Sequence, residues 1–337
     1  LVAVNKVLDD RVHYFPHNFW ENLKEEIQDK DAVGNAQKSI RVFSARAFRK
    51  IWINEFVVIR GSGGKDSDKQ FLVIDKESPE VAHLRETVDY RKEANALMGV
   101  TALNQEQNRG LDVCLDPDVR VVLLYGDVGT SKTFLGTLAA YYQMMELNMF
   151  RQFMVTRVPL SRGQSTLAEV PGGVSEKMSP YIQGVKSNTW ILANYFTRHM
   201  FPDATKSKVP PKEQIVKKLS KKKKDKSSGN NNGAGGGDKN FDTCLSTVYQ
   251  WMTEARVIEH PATIIGRTFF DDIVLYEEVQ DNITEDFKEF LTRLGAGDLQ
   301  MGIRPKLILT GSVEQMRLHL DDGDSAFAKL IGLFTNQ

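Results

Sequence analysis

The sequence predicts an α/β fold with a mainly parallel sheet, preceded by a small mixed N-terminal region. Three observations carry this. Short, almost wholly apolar runs recur at residues 119–125 (VRVVLLY), 151–156 (RQFMVT), 273–276 (IVLY) and 306–310 (KLILT). Strands buried on both faces read this way. Segments with helical spacing, 104–116 and 133–147, alternate with the first of them. A glycine-containing turn joins the run at 119–125 to the helix that follows.

The elements are justified in chain order. Phe15, Phe19, Trp20 and Leu23 make an aromatic-rich opening. Residues 51–60 (IWINEFVVIR) read as a strand, Gly61-Ser62-Gly63-Gly64 as a turn, and 70–75 (QFLVID) as a returning strand. This predicts a β-hairpin with a polar tip. Residues 78–97 are charged and read as partly helical. The grammar changes near residue 101, which divides the chain into an N-terminal region at 1–100 and an α/β domain at 101–337.

One segment interrupts the α/β pattern. Residues 206–226 hold ten Lys against two acids, and 227–240 are almost wholly Ser, Gly and Asn. Such a stretch buries too little apolar surface to offset its ordering entropy, so 203–240 reads as a flexible insertion. The 44 basic and 44 acidic residues of the whole chain give zero net charge. That total combines +8 in the Lys block with −8 elsewhere, so neutrality does not exclude a nucleic-acid partner. The Lys run lacks interleaved aromatics and suits phosphate attraction, a solvated linker or a localisation patch more than base stacking.

Composition excludes other classes. Hydrophobic residues make up 41% and aromatics 9% of 337 residues, an ordinary globular mix. No run approaches the roughly 18 apolar residues of a spanning helix, and no secretory leader is apparent. The chain begins at Leu1 rather than Met, which reads as a trimmed or matured start. Cys114 and Cys244 lack metal-ligand spacing, and the six His show none either. A reducing cytoplasm fits best.

The turn Gly126-Asp127-Val128-Gly129-Thr130-Ser131-Lys132-Thr133 lies between a buried strand and a helix, as a P-loop requires. Backbone N–H groups and the helix N-terminus would face phosphate oxygens. Lys132 would serve the β/γ-phosphates and Thr133 a Mg²⁺ ion. Ser131 stands where the pattern wants Gly, a position needing dihedral freedom and close approach. An ordinary strand–turn–helix junction is the plain alternative. Residues 271–280 (DDIVLYEEVQ) end an apolar strand in Glu277-Glu278. Glu277 suits the metal shell and Glu278 the attacking water, although paired Glu at a strand end also makes a solvated turn.

Further segments follow in a fixed order: Asn54-Glu55-Phe56-Val57, Asn104-Gln105-Glu106-Gln107, Thr156-Arg157-Val158-Pro159-Leu160, Val170-Pro171-Gly172, Glu176-Lys177-Met178-Ser179-Pro180-Tyr181, Gly266-Arg267-Thr268-Phe269, Thr292-Arg293-Leu294-Gly295 and Thr310-Gly311-Ser312-Val313-Glu314-Gln315. With the P-loop and Glu277-Glu278-Val279-Gln280, this set resembles the PhoH-like ATPase family, in particular the C-terminal ATPase half of PIN–PhoH proteins. The resemblance implies a RecA-like P-loop NTPase core similar to superfamily 1 helicases, ATP hydrolysis with Mg²⁺, association with RNA or single-stranded nucleic acid, and hexameric rings.

It further implies that Gln107 reads adenine and that Gly126, Gly129, Thr130, Ser131, Lys132 and Thr133 bind the nucleotide. Gln315 would sense the γ-phosphate, and Arg293 would reach a neighbouring subunit's γ-phosphate. Each has a plain alternative: Gln107 as a solvent-facing helix residue, Arg293 as a helix C-terminal cap, Arg157 and Arg267 as surface arginines. Three departures fall on chemistry: Ser131 for Gly, Glu277 for Asp and Ser312 for Asp. No PIN-type nuclease is read in residues 1–50. An active ATPase working on or with RNA is the leading expectation. A catalytically impaired, nucleotide-binding oligomeric scaffold is its alternative, and a plain nucleic-acid binder using the Lys arm is a third.

Overall fold

A computed structural model of the chain describes residues 12–16, 24–30, 36–43, 51–63, 68–157, 182–202, 237–254, 257–261, 268–282, 284–298, 302–312, 327 and 329–330. Six strands form an N-terminal mixed sheet: β1 (Val12–Phe15), β2 (Lys24–Lys30), β3 (Ala36–Phe43), β4 (Phe56–Ile59), β5 (Lys69–Ser78) and β6 (Val81–Glu86), in the order β1-β4-β5-β6-β3-β2. β1 and β4 run parallel and the remaining neighbours antiparallel. The expected hairpin is β4–β5, with Phe56 opposite Leu72 and Ile59 opposite Lys69.

Alternation assigns its faces. Val57, Ile59, Phe71, Val73, Ala82 and Leu84 close one core with Ile40 and Ile51. Phe56 and Leu72 point the other way, into the core of the α/β domain. The helical reading of 78–97 is corrected: the segment holds β6 and a three-residue 3₁₀ turn, Glu93–Asn95. Val81, Ala82 and Leu84 are buried among charges that occupy the outer positions, so cross-strand burial outweighs the charged composition. The strand expected from residue 51 begins only at Phe56, because Asn54 turns the backbone at φ 69°.

The second sheet is built from β7 (Val121–Tyr125), β8 (Gln152–Arg157), β9 (Val257–Pro261), β10 (Asp272–Glu277) and β11 (Lys306–Gly311), ordered β7-β11-β10-β8-β9. Each neighbouring pair is parallel. The helices are α1 (Gln105–Leu115), α2 (Lys132–Tyr141), α3 (Gln183–Met200), α4 (Gly237–Glu254) and α5 (Thr284–Leu291). The helix expected to reach residue 147 leaves α geometry at Tyr142 for a π turn, Tyr142–Glu146. α4 starts at Gly237, which corrects the end of the expected insertion at 240; residues 203–236 lie outside the described residues.

Both faces of the parallel sheet are covered. Val122, Leu124, Phe153, Val155, Ile273, Leu275 and Ile308 meet α1 to α4. Leu123, Met154, Val274, Tyr276, Leu307 and Leu309 meet Phe287 and Phe290 of α5, with Phe327. Near-continuous apolar strands are therefore required, as the runs in the sequence imply.

α1 ties the two sheets together with a polar face. Arg85 of β6 grips Asp112 through Nη1 and Nη2 at 3.2 and 2.8 Å and reaches Asp116 at 2.8 Å. Arg109 donates Nε to Gln70 Oε1 at 3.1 Å and lies over the Phe56 ring. Asn108 accepts from the Tyr90 N–H at 2.6 Å. At the C-terminal end of α1, the fully buried Lys306 ammonium donates to the carbonyls of Cys114 and Asp116 at 2.7 and 2.5 Å. These carbonyls end the helix, where a cation satisfies them and opposes the dipole.

Candidate nucleotide site

The carboxyl ends of β7, β8, β10 and β11 converge at one end of the sheet, the usual location of sites in parallel α/β folds. From β7 the chain enters the turn 126–131 and then α2. Gly126 and Gly129 have φ of 156° and 81°, and Ser131, the N-cap of α2, sits at φ 66°, ψ 22°. The turn thus bends through left-handed backbone, and a β-carbon added at Gly129 would meet open space. Ser131 occupies a conformation that glycine adopts freely and serine does not.

Lys132 folds over the turn. Its ammonium donates to the carbonyls of Gly126 and Asp127 at 2.8 and 2.6 Å and to Thr130 Oγ1 at 3.2 Å. Burial lowers its pKa, opposed by the carboxylates of Glu278 and Asp127. Thr130 Oγ1 donates to the Asp127 carbonyl at 2.8 Å, closing the loop.

Thr133, the second residue of α2, lies within hydrogen-bonding reach of Glu277 at the end of β10. Burial pushes the Glu277 carboxyl up to about 7, against the Thr133 bond and the Arg157 guanidinium, which favour the anion. Arg157 ends β8 in register with Glu277 and also meets Asp281 at 3.7 Å. Glu278 turns away in the left-handed region, φ 54°. Its Oε2 accepts from Gln280 Nε2, and Gln280 Oε1 accepts the Ser312 N–H at 3.1 Å. Gln280 therefore bridges the ends of β10 and β11. Gly311 makes room for this, because a β-carbon there would come within 3.0 Å of Gln280 Oε1. Ser312 is buried, and its hydroxyl has no hydrogen-bond partner among the described residues.

The expected residues thus divide. Gly126, Gly129, Thr130, Ser131, Lys132, Thr133, Glu277 and Glu278 come together. Gln107 lies on the first turn of α1, where Asn104 caps its N–H at 2.8 Å and its Oε1 accepts the Leu103 N–H at 2.8 Å. Arg293 is not brought to these residues. Its carbonyl accepts the Phe269 N–H, and the next turn of chain is held by Arg120 donating to Gly295 at 2.7 Å. Those partners precede β10 and β7, so Arg293 stands toward the amino ends of the strands. Its side chain pairs with Glu289 at 2.7 Å. Gln315, Arg267 and the segments at 158–181 lie outside the described residues. Gln280 had no expected role, because its bridging depends on β10 and β11 being neighbours, which local sequence does not state.

A family model for PhoH-like protein matches residues 99–337. The chain belongs to the PhoH-like family. This PhoH-like chain is 24% identical over 242 residues to Protein PhoH2 of Bacillus subtilis (strain 168), an alignment covering 72% of the chain and 43% of that relative. It is 35% identical over 89 residues to Protein PhoH2 of Mycolicibacterium smegmatis and 30% identical over 89 residues to that of Thermobispora bispora, each covering 26% of the chain and 20% of the relative. The PhoH-like chain therefore spans less than half the length of the curated relatives it matches.

The oxygen donors of the site fit a small hard cation. Thr133 and Glu277 supply a hydroxyl and a carboxylate within reach of each other. Among the described residues no group of three or more His, Cys, Asp or Glu is arranged to hold a metal. Mg²⁺ in nucleotide sites takes one or two protein ligands and the rest from phosphates and water, so a sparse donor pair suits it. No helix among the described residues is long and apolar enough to cross a membrane.

Proposed function

We propose that residues 101–337 form a RecA-like, Mg²⁺-dependent ATPase domain that works on or with RNA, preceded by residues 1–100 as a separate N-terminal region. The observation that carries this reading is the approach of the Thr133 hydroxyl to the Glu277 carboxyl, beside Lys132 and Glu278. It joins a P-loop hydroxyl to a strand-end carboxylate, with one ammonium and one further carboxylate close by. The interposed strand β11 gives the same support, since it holds Ser312 against Gln280 between the two halves of the site.

In this reading ATP is the substrate. Its phosphates lie against the turn 126–131, where backbone N–H groups and the N-terminus of α2 favour negative charge. Lys132 exchanges its loop carbonyls for β- and γ-phosphate oxygens. Thr133 and Glu277 hold Mg²⁺, which when bound neutralises charge on the β- and γ-phosphates. Glu278 orients the attacking water and accepts its proton, and Gln280 fixes that carboxylate. Gln107 contacts adenine, and Gln315 senses the γ-phosphate. Phosphoryl transfer asks mainly for positioning and charge stabilisation, which these groups supply. In a homo-oligomer such as a hexameric ring, Arg293 serves a neighbouring subunit. Two buried free cysteines suit a reducing cytoplasm.

The test is phosphate release from ATP and Mg²⁺, with and without single-stranded RNA, on protein of measured mass. Lys132→Ala is expected to lower turnover by at least a hundredfold; unchanged release would overturn the assignment. A second reading, nucleotide binding without turnover in an oligomeric scaffold, is favoured by Ser131 in left-handed backbone and by the Ser312 hydroxyl where the family pattern has Asp. Binding without hydrolysis, with hydrolysis restored by Ser131→Gly plus Glu277→Asp, would select it.

A further inference from the structure

Two aromatic rings of the N-terminal sheet stand in solvent with a cation over each. Trp52 is 46% exposed, its neighbour Ile53 48%, and Tyr14 on the edge strand β1 47%. Lys76 Nζ lies 5.9 Å from the Trp52 ring centroid, and Arg60 Cζ lies 5.2 Å from that of Tyr14. A single exposed apolar side chain needs no special cause. A tryptophan turned outward by a dedicated backbone arrangement does.

The turn before β4 is such an arrangement. Asn54 sits in left-handed backbone at φ 69°, and its N–H donates to the Val73 carbonyl at 2.7 Å. The Trp52 N–H donates to Glu55 Oε2 at 2.9 Å, and the buried Glu55 carboxylate also meets His13 Nε2 at 2.8 Å. The Lys76 ammonium donates to the Ile51 carbonyl at 2.7 Å. The backbone that carries Trp52 is thereby fixed before any partner arrives, which reduces the entropic penalty of binding.

The chemistry around the rings selects the partner. Each ring is about half exposed and so offers area for a second π-system, while ammonium and guanidinium groups attract phosphate. In the sequence the turn follows Arg46, Arg49 and Lys50, whereas the chain outside 206–226 carries −8. This basic, aromatic turn therefore stands out against an acidic body. We propose that Trp52 and Tyr14 form a stacking platform for single-stranded nucleic acid, with Lys76 and Arg60 contacting its phosphates. The proposal rests on the nucleic-acid reading above and assigns it a surface independent of the Lys-rich segment. Tyr14 is in register with Val58, six residues from Trp52, so their α-carbons are at most roughly 20 Å apart at about 3.3 Å per residue. The rings would hold separated bases of one strand. Stacking of this kind tolerates any sequence.

The test is fluorescence anisotropy of a labelled single-stranded oligouridine titrated with the full chain and with Trp52→Ala, Tyr14→Ala, Trp52→Phe and Arg60→Gln. Each alanine variant is expected to weaken binding roughly five- to a hundredfold, the range one base–aromatic stack supports, with melting temperature and ATP turnover unchanged. Trp52→Phe retains most of the affinity and loses the oligouridine-induced quenching of tryptophan emission. Arg60→Gln reduces the slope of log affinity against log salt by about 0.7, as loss of one phosphate contact requires. Wild-type binding with no effect of either alanine would overturn the platform alone. Altered subunit mass in Trp52→Ala with unchanged oligouridine affinity would overturn it in favour of a protein interface. A wild-type chain that binds no single strand would overturn the nucleic-acid reading itself, and the platform with it.

Discussion

Ser131 is the residue at which chemistry and backbone disagree most openly. Its φ of 66° places a β-carbon in left-handed backbone at the start of α2, a strain of about 1–2 kcal/mol for an L-residue. Ser131→Gly relieves that strain, but glycine's freedom in the unfolded chain offsets about 0.5–1 kcal/mol of the gain. Stability should therefore change little, while nucleotide affinity rises several-fold because the β-carbon and hydroxyl leave the phosphate face. Ser131→Val should do the reverse, since a β-branched side chain suits positive φ least. Paired thermal melts and nucleotide titrations of the two variants check this, and equal affinities would refute it. The residues of this turn were legible in the sequence, because a phosphate loop is a local object. Gln280 and Arg293 were less so. The first acquires its bridge from Ser312, 32 residues on, and the second is placed by Phe269 and Arg120.

At the scale of elements, the strands that the sequence made plain are those buried on both faces, β7, β8, β10 and β11. β2, β3 and β6 are rich in charged and polar residues and β1 has only four residues, so their pairing comes from neighbours rather than composition. α3 and α4 flank the low-complexity stretch, and β9 follows α4. Lys306 at the foot of β11 offers a test of one junction. Burial pushes its ammonium from 10.5 down to about 8, partly opposed by Cys114 and Asp116. Below pH 8 both folded and unfolded chains carry the proton. Between about 8 and 10.5 the unfolded chain holds it and the folded chain does not, so this group's contribution to stability rises with pH. Denaturation of wild type and Lys306→Met at pH 7.5 and 10 should show that rise in the wild type relative to the variant. Parallel pH profiles would show that Lys306 does not titrate in this window.

Across the whole molecule, the two sheets are joined through the polar face of α1. Arg85 is the centre of that join, and its removal leaves Asp112 and Asp116 buried without their cation. Arg85→Met should destabilise the fold by about 3–5 kcal/mol, as broken buried ion pairs do. A urea midpoint within error of wild type would show that the join is not needed. The sheet order also bears on how the protein is made. Among the described residues β7 pairs with no strand of its sheet other than β11, and Val122 pairs with Ile308 across most of the domain. A ribosome emits the P-loop long before the strand that must sit beside it. Until β11 has been made, the nascent chain holds a phosphate loop without its neighbouring strand and no Ser312 to face Gln280. The proposed nucleotide site is therefore completed only once residue 312 is in place, and chains ending before residue 306 should fail to engage ATP.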